Sequence, residues 1–227
     1  VFSFKVKAPA VPLETKAGFD QATRTAALTW KPGQGGNEPV RYRIYGSMER
    51  GFTASDTAYF YYAGLEGVKR SASNLLFETG GPETSWTIPP GLWRPYYRVA
   101  ALDREGQESG PSDMAELAHP LIAGETLPDA VAGGYYEARI EVSSSIGHLV
   151  SADEDGKAYQ MRYRSGDELE FTLGSAPAGL TIDPRSGLIS GFLPKESAGQ
   201  YEFLVKVADK NKGGADSRKI LLKVRQR

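Results

Sequence analysis

Apolar residues in this chain recur at every second position, in short runs separated by glycine, proline and small polar residues. The runs fall at Thr25 to Trp30 (TAALTW), Val40 to Tyr45 (VRYRIY), Ser85 to Ile88, Tyr96 to Leu102 (YYRVAAL), Tyr136 to Val142 (YEARIEV), Glu168 to Leu173 (ELEFTL), Tyr201 to Val207 (YEFLVKV) and Lys219 to Val224 (KILLKV). Alternation of this kind places one face of a strand in a core and the other in solvent. Uninterrupted windows long enough for a helix are nearly absent, because 26 glycines and 14 prolines punctuate the chain. The pattern predicts an all-β protein, and the spacing of the runs suits β-sandwiches.

One hairpin is spelled out locally. In GLTIDPRSGLISGFLP, Leu180 and Ile182 precede, and Leu188 follows, a turn made of Asp183, Pro184, Arg185, Ser186 and Gly187. An aspartate before proline holds a turn by accepting backbone N–H bonds, and glycine supplies positive φ, so Asp183 and Gly187 have a structural task without any ligand. Between two strand-rich halves lies LAHPLIAGETLP, Leu117 to Pro128, which puts a domain boundary near Pro120 to Gly124. The expected parts are residues 1–8, a leading strand or the end of a preceding module, then 9–120 and 121–227. Two stretches, 47–81 and 143–166, are longer than sandwich loops usually are and carry either function or extra structure. The alternating start, VFSFKV, is expected to be a strand within a larger protein.

With 227 residues, 40% of them hydrophobic, the chain has the material for two small cores. A formal charge of -1, from 27 basic and 28 acidic residues, provides no cationic field for nucleic acid or an anionic membrane. The absence of cysteine removes disulfides, thiolate metal sites and cysteine nucleophiles. No apolar run approaches the length of a membrane helix, so direct membrane insertion is not expected.

Over Pro9 to Pro120 the chain resembles a fibronectin type III domain. The resemblance rests on Trp30 in TAALTWKP, on the aromatic strand PVRYRIYGS, and on RPYYRVAALDREGQESGPSDMAEL. It implies that Trp30 and one of Tyr96 and Tyr97 fill the space between two sheets, the phenol reaching a backbone carbonyl as a tyrosine corner. From about Glu125 to Arg227 the chain resembles a cadherin-like domain of the bacterial putative-Ig (dystroglycan) type, through GLTIDPRSGLISGFLP followed by AGQYEFLVKVADKNKGGADSRKILLKV. Both resemblances identify a fold and neither a reaction.

The cadherin resemblance raises calcium as a cofactor. Asp153 and Asp155 in SADEDGKAY, with Asp209 after the penultimate strand, are hard oxygen ligands of the type Ca²⁺ takes. Leu193-Pro194-Lys195-Glu196 departs from the family's Leu-Asp-Arg-Glu, and the Asn-Asp-Asn linker cluster is missing. His119 and His148 stand in no metal or triad spacing and read as surface residues. Aromatic residues are in excess at Tyr59 to Tyr62, with Trp86 and Trp93. Consecutive rings in a strand point to both faces, so Tyr59, Tyr61 and Trp93 are candidates for a platform that stacks on a glycan, and packing under the 47–81 insertion is the other use. The expected work is non-catalytic: modules of an exported, bacterial, multimodular protein that space or dock neighbouring domains of the same polypeptide. A glycan-binding accessory module and a calcium-dependent adhesion module, meeting a glycan or a cell-surface protein, are the alternatives.

Overall fold

The structure, a computed structural model, describes residues 7–62, 68–146, 148–152, 160–164 and 166–227. It divides into two compact units, Val1–Ala118 with Gly147–Arg164, and His119–Ile146 with Ser165–Arg227.

In the first unit the strands are β1 (Leu13–Asp20), β2 (Thr25–Lys31), β3 (Arg41–Ser47), β4 (Tyr59–Tyr62), β5 (Val68–Ser71), β6 (Leu75–Glu78), β7 (Ser85–Ile88), β8 (Tyr96–Leu102) and β9 (Ala115–Glu116). They form a sheet of order β1-β2-β7, a second of order β6-β3-β8-β9, and the hairpin β4-β5. Alternation sets which residues meet between the two larger sheets. Leu28 from β2, Tyr42 and Ile44 from β3, and Tyr97 and Val99 from β8 have no exposed surface. Trp30 lies edge-on to Tyr42 at 5.3 Å between centroids.

The 47–81 insertion carries structure of its own. Phe52 packs on Tyr45, Tyr96 and Ala100, the side chains that β3 and β8 turn away from the main core, and makes a second small apolar cluster with Ala54, Leu75 and Met114. The Arg98 guanidinium sits 5.9 Å from the Phe52 ring centroid. Asn74 pins this strap: its side chain donates to the Thr53 carbonyl at 2.7 Å and accepts from the Ser55 N–H at 3.0 Å. Beside it Arg43 bonds Asp56, Glu78 and Glu108 at 2.9, 3.0 and 2.8 Å, and the Tyr45 hydroxyl donates to Glu108. Burial and the neighbouring Glu108 carboxylate both push the Tyr45 phenol up.

The second unit contains β10 (Leu121–Ile122), β11 (Ala130–Val131), β12 (Tyr135–Arg139), β13 (Val142–Ser143), β16 (Leu169–Leu173), β17 (Leu180–Ile182), β18 (Leu188–Phe192), β19 (Gly199–Asp209) and β20 (Ala215–Arg225). Strands β14 (His148–Ala152) and β15 (Gln160–Arg164) pair as a separate antiparallel ladder. One sheet has the order β11-β20-β19-β16 and the facing one β12-β18-β17, with β10 paired to β13. Between them lie Ile189, Val205 and Leu222, all without exposed surface, with Tyr136, Phe171, Phe203 and Ile220 around them. Alternation along β19 and β20 turns Phe203, Val205 and Val207 of the one and Ile220, Leu222 and Val224 of the other into this core. β11 runs parallel to β20, pairing Ala130 with Val224 and Val131 with Arg225. Further bonds extend that contact in both directions: Leu127 N–H to Leu221 O at 3.0 Å and Ala132 N–H to Arg225 O at 2.9 Å.

Candidate binding surfaces

Of the three aromatic candidates, Trp93 is part of the core. A turn of 3-10 helix at Pro90–Leu92 folds Trp93 inward, where it is 2% exposed. Its indole N–H donates to the Ile88 carbonyl at 3.0 Å, and the Phe19 ring meets it edge-on at 5.2 Å. The expectation that Trp93 serves a ligand is therefore corrected: with its polar atom paired and its rings enclosed, it is a core residue. Tyr59 is half-buried at the start of β4, and the next residue, Phe60, is 71% exposed. The side chain of Tyr61 lies outside what the structure describes.

Asp153 and Asp155 also lie outside the described residues. Asp209 is 3% exposed, and its Oδ1 accepts the backbone N–H groups of Glu168, Asn211 and Lys212 at 3.1, 3.0 and 3.3 Å. One oxygen is thus committed to closing the turn from β19 into β20. Ca²⁺ takes six to eight oxygens, and among the described residues no group of three or more histidine, cysteine or acidic side chains is arranged to hold a metal ion. Asp209 Oδ2 is buried and has no hydrogen-bond partner among the described residues.

Trp30, Tyr96, Tyr97, Asp183 and Gly187 occupy structural positions. The Tyr97 hydroxyl donates to the Leu92 carbonyl at 3.1 Å and accepts from the Arg94 N–H at 2.6 Å. Tyr97 is therefore the corner, and Tyr96 lies on the opposite face against Phe52. Asp183 Oδ1 accepts from the Ser186 hydroxyl, the Ser186 N–H and the Arg185 N–H at 2.8, 2.7 and 3.1 Å. Those bonds, led by the Ser186 hydroxyl, hold its carboxyl below the usual range. Gly187 has φ +67°, and a Cβ there would lie 2.9 Å from the Phe171 ring.

Two features escape a reading of the chain. The first is a buried cluster in the second unit around Asp167, whose side chain has no exposed surface. Oδ2 accepts the Ser145 N–H at 2.6 Å and lies 2.9 Å from His119 Nδ1. Oδ1 accepts the Lys212 ammonium at 2.8 Å and the Ser145 hydroxyl at 2.5 Å. Burial pushes the Asp167 carboxyl up, but His119, Lys212 and Ser145 together outweigh it and hold the group far below the ordinary carboxylate range. Since the side chain of His119 is only 7% exposed, its reading as a surface residue is corrected. Imidazole and hydroxyl both point at the carboxylate, so Ser145 directs its proton to Asp167 and is not arranged as an activated nucleophile. His119 O would lie 2.4 Å from a Cβ on residue 214, so Gly214 lets the chain entering this unit approach closely.

The second feature is a pair of exposed rings. Tyr135 and Phe192 are directly opposite in the β12-β18 ladder, 57% and 72% exposed, with centroids 5.1 Å apart and planes at 62°. A groove of about 1030 Å³ also opens in this unit, lined among others by Ile122, Leu127, Ile140 and Phe171. Those residues are at least nine-tenths buried and form its floor, while Thr126, Pro128, Arg139, Glu141 and Arg185 at its rim are exposed.

Residues 146–224 match the family model He_PIG, described as Putative Ig domain. No curated protein sequence matches the chain. Among solved structures, an Fn3-like protein from Clostridium thermocellum is 26% identical, with 51% of this chain and 97% of that one covered and a TM-score of 0.29. Drosophila N-cadherin EC1-3 is 13% identical over 99% of this chain and 66% of that one, with a TM-score of 0.35. A Bacteroides fragilis protein named a putative alpha-galactosidase/melibiase is 18% identical, with a TM-score of 0.33; the match covers 46% of this chain and 17% of that one. The chain is all-β, with its described strands in two sandwich-like units, and residues 146–224 match the Putative Ig domain model.

Proposed function

We propose that the chain is a load-bearing spacer, a pair of non-catalytic modules within an exported, bacterial, multimodular protein, which holds neighbouring domains of the same polypeptide apart and presents them. The observation that carries this reading is the parallel pairing of β11 with β20. These strands lie near the two ends of the second unit. Tension along the polypeptide pulls parallel terminal strands in opposite directions along their length, so their hydrogen bonds are loaded together and must fail together. Antiparallel neighbours pulled from one end open one bond at a time. The buried Asp167 cluster supports the same reading, because it fixes His119, the residue through which force enters this unit, to loops that lead into β16 and β20. Domains of these kinds are typically non-catalytic. Among the described residues no helix is long and apolar enough to cross a membrane.

The test is to stretch the chain by its ends in a single-molecule instrument. The second unit is expected to give a distinct high-force unfolding event. Ala132→Pro removes the N–H that bonds the Arg225 carbonyl and should lower that force by more than its effect on the thermal midpoint would suggest. If the event occurs at low force, or if Ala132→Pro leaves it unchanged, the reading fails.

A further inference from the structure

We propose that the Tyr135–Phe192 corner is a binding site for neutral pyranose sugars, an assignment that rests on reading the chain as a non-catalytic module. Both rings stand on the solvent face of the β12-β18-β17 sheet, where alternation normally puts polar residues. They meet at 62° and form a corner with a floor and a wall. The face of an aromatic ring is electronegative and attracts the polarised C–H bonds that a pyranose presents on its apolar side. Hydrogen-bonding groups for the hydroxyls stand next to the rings. Glu137, two residues along β12, has its carboxylate 3.4 Å from the Tyr135 hydroxyl, and Ser190 lies directly across from Glu137 on β18. Thr181 of β17 faces Ser190 in turn. A few polar groups converging beside an apolar surface is the composition of a small-ligand site.

Size and charge select the occupant. Two aromatic side chains supply about 300–500 Å² even when fully covered, whereas a stable protein interface takes about 800 Å² from each partner around an apolar centre. The next outward pair along the same ladder is Glu137 and Ser190, and the one after it Arg139 and Leu188, so polar and charged residues end the apolar patch immediately. The surface is too small to anchor a protein and the right size for one or two sugar rings. Arg139 and Glu137 balance each other, which favours a neutral glycan over an acidic one.

Affinity electrophoresis of the whole chain through gels containing galactomannan, xyloglucan or laminarin tests the assignment. Migration should be retarded by at least one of the three, with apparent affinity falling about fivefold or more in Tyr135→Ala and in Phe192→Ala and less in Glu137→Gln. Phe60→Ala, which removes an exposed ring of the first unit, should behave as the parent. Thermal midpoints close to the parent's would show that the exposed-ring variants fold. Unaltered migration in all three gels would overturn the proposal, as would loss of retardation in Phe60→Ala instead. So would a concentration-dependent dimer in sedimentation that Phe192→Ala abolishes, which would assign the face to a second copy. None of these results bears on the unfolding force, so failure here is distinguishable from failure of the spacer reading.

Discussion

Trp30 and Trp93 are buried to nearly the same degree, 4% and 2% exposed, but only Trp93 has its indole N–H paired among the described residues. Replacing each by phenylalanine keeps most of the packing and separates the polar contribution. Trp93→Phe should cost more than Trp30→Phe, by about 1 kcal/mol, the worth of a buried hydrogen bond; urea denaturation of the two variants reads the difference. Asp167 supplies a pH test. Its carboxyl is held below its unfolded value near 4, so the stability it contributes is fully present above about pH 4 and drains away as pH falls toward the folded value. Asp167→Ala should destabilise the second unit by about 1–3 kcal/mol at neutral pH, because it removes the acceptor of the buried Ser145 N–H and hydroxyl, while the Lys212 side chain, 37% exposed, keeps access to water. The loss of stability between pH 7 and pH 3 should be smaller in the variant than in the parent. An equal loss in both would show that the carboxylate is not held ionised by its neighbours.

At the scale of elements, the hairpin β17-β18 depends on Gly187, where positive φ and contact with Phe171 exclude a side chain. Gly187→Ala should cost at least about 1–2 kcal/mol from the backbone alone. Adding Phe171→Leu should recover part of the steric share in a double-mutant cycle, and strict additivity of the two would refute the contact. This hairpin was legible because its signals are local: apolar positions two apart, an aspartate before proline, and a glycine closing the turn. The same holds for β2, β3, β7, β8, β12, β16, β19 and β20, whose alternation is written in consecutive residues, and so the all-β class was legible too. What the sequence concealed depends on residues far apart in the chain. Trp93 stands in GLWRP, which reads as a surface loop, and nothing local shows that the 3-10 turn aims its indole inward. The Asp167 cluster draws His119, Ser145 and Lys212 from separate loops, each ordinary by itself. Tyr135 sits in a double tyrosine whose other member, Tyr136, is 6% exposed, and only the strand's orientation says which ring faces solvent. The parallel match of β11 to β20 joins a two-residue strand to the last strand of the chain, which no periodicity announces.

For the whole molecule the claim is mechanical: the second unit resists force applied through its ends because β11 and β20 are sheared and not peeled. Resistance of this origin depends on the direction of pull, whereas thermodynamic stability has no direction. The most direct measurement stretches the second unit in two geometries. In one, handles at residues 119 and 227 load β11 against β20. In the other, handles at residues 198 and 227 sit at the open end of the antiparallel β19-β20 pair, where Gly199 faces Val224, and peel the two strands apart one bond at a time. The absence of native cysteine lets single cysteines carry the handles. The account predicts a markedly higher unfolding force in the first geometry than in the second at the same loading rate; equal forces, or a higher force in the second, would contradict it.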